Sequence, residues 1–219
     1  MPIILFGGEK GGTGKSTLAT NIAVMRARAG HDVLLLDTDK QATSSKWASV
    51  REEEVIAPGL FAVQKFGKGI PALVQDLQSR YDDIIIDAGG RDNPELRYAL
   101  AIAEKAYIPV LPSDFDAWTI RDMDRLIEMA QSFNPDLTAY IVISRASTHP
   151  QSREADGTRE DILGEQLEQL TITDTVIFER VAYRKAARNG KAVVELSNKD
   201  RDEKAIFEIE ALYKEVFVA

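Results

Sequence analysis

Short apolar runs alternate with longer segments of helical periodicity along most of the chain. Most of the apolar runs are unbroken stretches of Val, Ile and Leu, which is typical of strands that helices cover on both faces. These runs predict strands at Pro2–Phe6, Asp32–Leu36, Phe61–Phe66, Asp83–Asp87, Ala106–Leu111 and Ala139–Ser144. Helical spacing predicts helices at Lys15–Ala29, Ile70–Arg80, Pro94–Glu104, Trp118–Phe133, Arg159–Gln169 and Asp202–Val216.

This alternation predicts an α/β fold with a doubly wound, mainly parallel sheet and helices on both of its faces. A length of 219 residues is that of one ordinary domain, so we expect a single domain over residues 1–219. The stretch Arg145–Thr158 is rich in Ser, Thr, Pro, Asp and Gly and predicts the longest loop.

The composition excludes several classes of protein. The chain has no cysteine, which rules out disulfides, thiolate nucleophiles, iron–sulfur clusters and cysteine-type zinc sites. No apolar stretch approaches the roughly 20 residues that a membrane span requires, and the apolar start of the chain is too short for a signal peptide. We therefore expect a cytoplasmic protein.

Charge is unevenly distributed along the chain. The formal net charge of −8 argues on average against binding to nucleic acid. One segment, residues 176–191, is nevertheless basic, with a net charge of +4, so the other residues together carry −12. If the segment forms a helical turn, its bases could contact DNA phosphates without reading the bases; they could equally form a solvated face or pair with the surplus carboxylates. The candidate DNA-binding residues are Arg180, Arg184, Lys185, Arg188 and Lys191.

A glycine-rich segment, Gly7-Gly-Glu-Lys-Gly-Gly-Thr-Gly-Lys-Ser-Thr17, lies between the first predicted strand and the first predicted helix. Glycines let successive N–H groups point inward, and the helix adds its positive end, so the segment predicts a phosphate-binding loop. We expect Lys15 to contact the β- and γ-phosphates of a nucleotide and Ser16 to ligate Mg²⁺. The general motif has glycine where this chain has Glu9. The candidate nucleotide-binding residues are Gly11, Gly12, Thr13, Gly14, Lys15, Ser16 and Thr17.

Two further strands end in carboxylates. Asp37 and Asp39 follow the second predicted strand, and Asp87 ends the fourth. The carboxyl ends of parallel strands meet at one edge of a sheet, so these side chains can converge on bound phosphates and their metal ion. A purely structural role as caps of the following turns or helices stays open.

The stretch Lys10-Gly-Gly-Thr-Gly-Lys15-Ser16-Thr17 resembles the deviant Walker A box of the ParA/MinD superfamily of P-loop ATPases. The resemblance implies that Lys10 reaches the nucleotide of a dimer partner and acts in catalysis with Lys15. Asp37 and Asp39 match the superfamily's switch box, which implies that Asp37 helps to hold Mg²⁺ through water and that Asp39 is catalytic because it positions the attacking water. Lys40 stands where the family usually has proline.

The resemblance extends to three other places. Asp87 matches the Walker B aspartate, which makes it a metal-site residue with Ser16 and Asp37, and Gly89 and Gly90 suit a backbone that responds to the γ-phosphate. The turn at Ser113 and Asp114 corresponds to part of the family's dimer surface. Many relatives have an Asn that recognises adenine where this chain has Ser144-Arg145. The basic segment is similar in position to the non-specific DNA-binding surface of partition ATPases.

Taken together, the motifs resemble those of a small ParA-type partition ATPase of the P-loop NTPase fold. The resemblance implies ATP and Mg²⁺ as cofactors, an ATP-dependent homodimer, non-specific DNA binding, slow ATP hydrolysis stimulated by a ParB-type adaptor, and association with the nucleoid. Because the first strand begins at residue 2, we expect no N-terminal helix-turn-helix domain and no operator-specific repression. The acidic C-terminal segment gives no reason to expect a membrane partner. Two alternatives stay open: a positioning ATPase for a non-DNA cargo, and a biosynthetic P-loop ligase.

Overall fold

Seven parallel strands form one sheet in a computed structural model that describes residues 2–89, 94–112 and 117–218. The spatial order is β3-β2-β4-β1-β5-β6-β7, and every neighbouring pair is parallel. The strands are β1 (Ile3–Phe6), β2 (Val33–Asp37), β3 (Phe61–Gln64), β4 (Asp83–Asp87), β5 (Lys105–Val110), β6 (Thr138–Ala146) and β7 (Leu170–Phe178). The mainly parallel sheet predicted from the sequence is confirmed.

Helices cover both faces of this sheet. Both faces carry apolar side chains that must be buried. In β1, Ile3 and Leu5 belong to the core on one face, whereas Ile4 and Phe6 belong to the core on the other. The first core packs under α3 (Ile70–Leu77), α4 (Pro94–Leu100), α5 (Ala117–Gln131) and α6 (Glu154–Gly164). The second packs under α1 (Lys15–Arg28), α2 (Thr43–Glu53), α7 (Val181–Arg188) and α8 (Glu203–Phe217). The doubly wound arrangement follows from two buried faces on each central strand.

Two elements were not predicted from the sequence, and one loop is shorter than predicted, spanning residues 147–153. Helix α2 has a largely polar sequence in which Trp47, Ala48, Ser44 and Arg51 are the buried residues, so its apolar periodicity is weak. In strand β7 buried residues alternate with exposed or half-buried ones, so the strand does not form an unbroken apolar run. In the predicted loop 145–158, β6 continues to Ala146 and α6 begins at Glu154.

The C-terminal helix α8 packs onto the core, as its spacing predicts. Ile209, Leu212 and Val216 are buried against the second core, and Ile206 is buried as well. Among the helices of the described residues, none combines the length and the apolar character needed to cross a lipid bilayer.

A buried ion pair fastens α2 to the turn that follows α7. The guanidinium of Arg51 donates to both carboxylate oxygens of Glu195, at 2.8 Å each, and to the carbonyl oxygens of Gly190 and Pro58. Both ionic side chains are nearly inaccessible, at 2% and 7% exposure. Gly190 has a φ of 62°, and a Cβ atom there would lie 2.5 Å from the Arg51 backbone nitrogen, so this close approach requires glycine.

Candidate functional site

The phosphate loop occupies the bend between β1 and α1. Gly14, immediately before α1, has a φ of 99°, and a Cβ atom there would lie 2.9 Å from the Ser144 hydroxyl oxygen. Gly12 also has a left-handed φ, of 75°. Both positions need glycine for the backbone conformation, and Gly14 needs it also for the close approach to β6. The predicted loop is therefore a curled backbone that leads into a helix N-terminus, which is an arrangement suited to phosphate.

Lys15 holds its ammonium group inside this loop. The residue is only 7% exposed, and its Nζ donates to the carbonyl oxygen of Lys10 at 2.6 Å. Burial lowers the pKa of Lys15, while the negative charges of Asp87 and Asp39 act in the opposite direction. A cation with this little water around it is strongly attracted to a polyanion that enters the loop.

Strands β2 and β4 bring two aspartates side by side, as predicted from their positions at strand ends. Asp37 and Asp87 are register partners, and both are fully buried. The Thr38 backbone N–H donates to the Asp87 carbonyl oxygen at 2.9 Å and fixes the chain where it leaves the sheet. Asp37 accepts hydrogen bonds from the backbone N–H groups of Asp39, at 3.0 Å, and Ser45, at 2.8 Å. Both oxygens of Asp37 therefore hold the start of the following segment in place.

Asp87 has the surroundings of a cation ligand. Burial, helped by the charge of Asp37, raises its pKa to about 6, although the Ser44 and Ser16 hydroxyls and the Lys15 ammonium act in the opposite direction. Its Oδ2 accepts a short hydrogen bond from the Ser44 hydroxyl, and its buried Oδ1 has no hydrogen-bond partner in the described parts of the chain.

These groups fit Mg²⁺. A buried carboxylate oxygen and the Ser16 hydroxyl are the hard oxygen ligands that this ion prefers. Within residues 2–89, 94–112 and 117–218, no cluster of three or more Asp, Glu, His or Cys side chains could hold a metal alone. Mg²⁺ usually keeps several water ligands and is bound by one or two carboxylates together with substrate phosphates.

Asp39 lies at the mouth of the loop and lines a cavity together with Lys15. Its Oδ1 accepts a hydrogen bond from the Gln41 backbone N–H at 2.9 Å, which orients the carboxylate. The carboxylate also rests directly on Gly89, where a Cβ atom would lie 2.7 Å from the Asp39 Cγ. The predicted catalytic carboxylate therefore occupies space that is free only because residue 89 has no side chain.

Replacing Gly89 with alanine is expected to displace Asp39 without disturbing the phosphate loop. The added methyl group would overlap the carboxylate, and a displacement of about 1 Å typically costs on the order of 100-fold in rate. Steady-state ATP hydrolysis should fall by about that factor, whereas the affinity for nucleotide should change little. Gly157→Ala is the matched control, because a Cβ atom at Gly157 in α6 would meet nothing within 4 Å. Unchanged hydrolysis by Gly89→Ala would contradict the assignment of Asp39.

The cavity that begins at the phosphate loop extends to α7. It has a volume of about 460 Å³, and its far wall includes Arg180, Tyr183 and Arg184. Arg145, at a φ of 55°, bridges the two walls: its guanidinium donates to the Gly12 carbonyl oxygen and to the Glu179 carboxylate. A nucleotide whose phosphates lie in the loop would therefore extend towards the basic segment, for which the sequence suggested DNA contact, a solvated face or ion pairs but no contact with a nucleotide.

The five candidate DNA-binding residues do not share one environment. Arg180 is 14% exposed and its Nε donates to Glu208 at 2.7 Å, which fits a structural role. Arg184 and Lys185 are exposed, and each is paired with a carboxylate, Glu179 and Asp200 respectively. Arg188 is exposed, and Lys191 is half-buried. An exposed basic face therefore consists of Arg184, Lys185 and Arg188, with two acidic partners beside it.

Lys10 lies beside a small apolar cavity that includes Ile108, Val110 and Met123. The residue is half-buried, and its role across a dimer interface stays a prediction. Gly90, Ser113 and Asp114, which the sequence analysis also singled out, lie outside the described residues.

Three contributors to the site were missed by sequence reasoning. Ser44 contacts Asp87, Glu179 pairs with both Arg145 and Arg184, and the Thr38 backbone fixes the end of β4. The run Thr43-Ser44-Ser45 after the acidic strand end was a usable signal, since small polar residues commonly start a helix. Glu179 gave a weaker signal as the lone acid of the basic segment.

Comparisons with known proteins agree with this geometry. The family model described as CobQ/CobB/MinD/ParA nucleotide binding domain matches residues 4–194. The chain is 29% identical over 213 residues to Maintenance of carboxysome distribution protein A of Halothiobacillus neapolitanus, covering 94% of this chain and 92% of that protein. It is 25% identical over 188 residues to Protein ParA of Rhizobium radiobacter, covering 84% and 81%. The structure of apo McdA from Cyanthece has the same fold, with a TM-score of 0.74, 18% identity and coverage of 97% and 99%.

Proposed function

The chain belongs to the CobQ/CobB/MinD/ParA nucleotide-binding family, and on this premise we propose that it is a ParA-type positioning ATPase. In this proposal the protein binds DNA non-specifically when it holds Mg²⁺·ATP and does not bind DNA when it holds ADP. The observation that carries the proposal is the meeting of the phosphate loop with Asp39, Asp37 and Asp87 at one edge of the sheet. The position of Asp39 beside Lys15 at the mouth of the loop supports turnover rather than nucleotide binding alone.

The proposed reaction is hydrolysis of the bond between the β- and γ-phosphates. Backbone N–H groups of the loop and the ammonium of Lys15 hold the phosphates and offset the charge that develops on them. Mg²⁺ would supply further charge neutralisation, held by Ser16 and Asp87, with Asp37 acting through water. Asp39 accepts a hydrogen bond from the attacking water and aligns it with the γ-phosphate. The products are ADP and phosphate.

The proposed active form is a homodimer in which Lys10 of each subunit completes the other's site. Dimerisation would set two copies of the exposed basic face of Arg184, Lys185 and Arg188 side by side, and paired weak contacts strengthen one another. A single copy in a chain of net charge −8 attracts DNA weakly. ATP-dependent dimerisation thus accounts for ATP-dependent DNA binding, and a ParB-type adaptor would stimulate hydrolysis and release.

The cargo has two candidates. The switch and the basic face suit partition of plasmid or chromosomal DNA. The similarity to a carboxysome distribution protein over 94% of the chain favours a second candidate, in which DNA is the track and the cargo is a protein assembly. Both candidates require the same ATP-dependent DNA binding.

DNA binding measured with ATP and with ADP across a salt series tests the proposal. Binding is expected with ATP alone, and log affinity should fall with log salt concentration at a slope of about −0.9 for each neutralised phosphate. The double variant Arg184→Ala with Arg188→Ala should weaken binding and flatten the slope. Arg80→Ala with Arg125→Ala is the matched control, since these exposed arginines lie in or beside helices that cover the opposite face of the sheet. Equal binding with ADP, or binding that salt does not affect, would contradict the proposal.

A further inference from the structure

The first turn of α2 contacts both buried aspartates of the site. Ser44, the second residue of this helix, is fully buried, and its hydroxyl donates to Asp87 Oδ2. The next residue, Ser45, uses its backbone N–H to bind Asp37 Oδ2 at 2.8 Å. The resemblance assigned no role to Ser44, which follows the switch-box residues Asp37 and Asp39 in the chain. The hydroxyl is therefore a contact to the predicted metal site that no motif explains.

The two oxygens of Asp87 are in different situations because of this contact. Oδ2 has the Ser44 hydroxyl as its donor, whereas Oδ1 is buried and has no hydrogen-bond partner within the described residues. The terminal torsion of an aspartate is broad and roughly two-fold, so an unrestrained carboxylate could rotate and exchange its two oxygens. A donor on one oxygen removes that freedom and leaves the other oxygen available to a cation.

We propose that Ser44 is a positioning residue for the divalent cation that accompanies the nucleotide. It restrains the Asp87 carboxylate through Oδ2 and thereby presents Oδ1 to the ion. Partners of this kind, which bind a ligating group rather than the metal, typically change metal affinity by about 10- to 100-fold when they are removed. The inference rests on the proposed function only in placing a cation and a nucleotide in this cavity. It requires neither DNA binding nor turnover.

The test measures cation affinity directly, with Mn²⁺ as the probe. Electron paramagnetic resonance of free Mn²⁺ gives its affinity for the full chain saturated with ADP, and a fluorescent ADP analogue in EDTA gives nucleotide affinity without metal. Ser44→Ala is expected to weaken Mn²⁺ binding by about 10- to 100-fold and to leave nucleotide affinity in EDTA unchanged. Ser44→Thr keeps the hydroxyl and should restore most of the Mn²⁺ affinity.

Ser45→Ala provides a matched control at the adjacent position. Its buried hydroxyl oxygen has no hydrogen-bond partner within the described residues, and the substitution keeps the backbone N–H that binds Asp37. Mn²⁺ affinity should therefore stay at the wild-type value. A general loosening of α2 would lower nucleotide affinity in EDTA as well, and that result would overturn the inference.

The outcomes separate this inference from the proposed function. Unchanged Mn²⁺ affinity in Ser44→Ala overturns the role of Ser44 whatever the wild-type protein does with ATP. A wild-type chain that binds Mn²⁺ and ADP but hydrolyses no ATP overturns the proposed function, while a selective loss in Ser44→Ala would still support the positioning role. A wild-type chain that binds Mn²⁺ no better with ADP than without it overturns both.

Discussion

Replacing Asp39 with asparagine is expected to lower ATP turnover by about 100-fold or more while nucleotide binding persists. Asparagine has the same shape and can still accept the hydrogen bond from the Gln41 backbone N–H. It lacks the negative charge that orients and polarises the attacking water, and such groups typically contribute about 10²- to 10⁴-fold. The phosphate loop and the groups at the predicted metal site are unchanged in this variant, so the loss should appear in kcat.

A phosphate-release assay and a fluorescent nucleotide titration check this result together. Asp136→Asn is the matched control, because Asp136 is exposed in the turn before β6. A variant that lost turnover and nucleotide affinity in equal measure would indicate that Asp39 serves binding, which would contradict the assigned role. A variant with wild-type turnover would exclude Asp39 from the reaction.

Replacing Arg51 with methionine is expected to lower the free energy of unfolding by about 3 to 5 kcal/mol. The substitution removes the guanidinium from a pair in which both ionic side chains are at most 7% exposed. Within the described residues, Glu195 would keep only the backbone N–H of Ala192 as a donor, and the carbonyl oxygens of Gly190 and Pro58 would lose their guanidinium donor. An uncompensated buried charge, rather than the loss of attraction alone, accounts for the size of the effect.

Urea denaturation of the full chain measures this loss. Arg125→Met is the matched control: Arg125 and Asp122 form an exposed i,i+3 pair on α5, and pairs of this type contribute about 0 to 1 kcal/mol. The double variant Arg51→Met with Glu195→Gln should regain part of the stability, because it removes the stranded charge. A loss below about 1 kcal/mol in the single variant, or no recovery in the double, would show that the pair does not fasten α2 in solution.

Much of the fold was predictable because its strongest signals are local. Unbroken apolar runs mark strands that are covered on both faces, and β4 has the bounds that were predicted for it. Helix α2 and strand β7 were not predicted because their local sequence signals are weak. Trp47 and Arg51 are the main anchors of α2 and are surrounded by polar residues, and β7 at the edge of the sheet is buried on alternate positions. Their stability comes from partners distant in the sequence.

The candidate site likewise contains residues that the sequence predicts and a contact that it does not. Gly14, Lys15 and Ser16 are consecutive, and Asp37 and Asp87 end parallel strands, so one rule about strand ends is enough to bring them together. No rule of that kind connects Ser44 to Asp87. That contact depends on where the first turn of α2 lies, which in turn depends on the packing of the whole helix.

The basic segment shows what a count of charges in the sequence can and cannot predict. Its net charge of +4 is visible in the sequence. In the structure, however, Arg180 forms an ion pair with the buried Glu208, and Arg184 pairs with Glu179 and lines the cavity at the phosphate loop. Counting charges cannot separate a buried pair from an exposed face, because the two differ in which residues of other helices lie opposite. Arg184, Lys185 and Arg188 are the bases that the structure leaves exposed.

By itself, the sequence determined the doubly wound sheet, the phosphate loop and the acidic strand ends, since each depends on backbone preferences and spacing within a few residues. Tertiary structure alone decided that Asp39 stands against Gly89, that Ser44 holds Asp87, and that part of the basic segment faces the nucleotide cavity. These contacts join residues from different elements, and their geometry is set by how helices and strands pack, which no local pattern encodes.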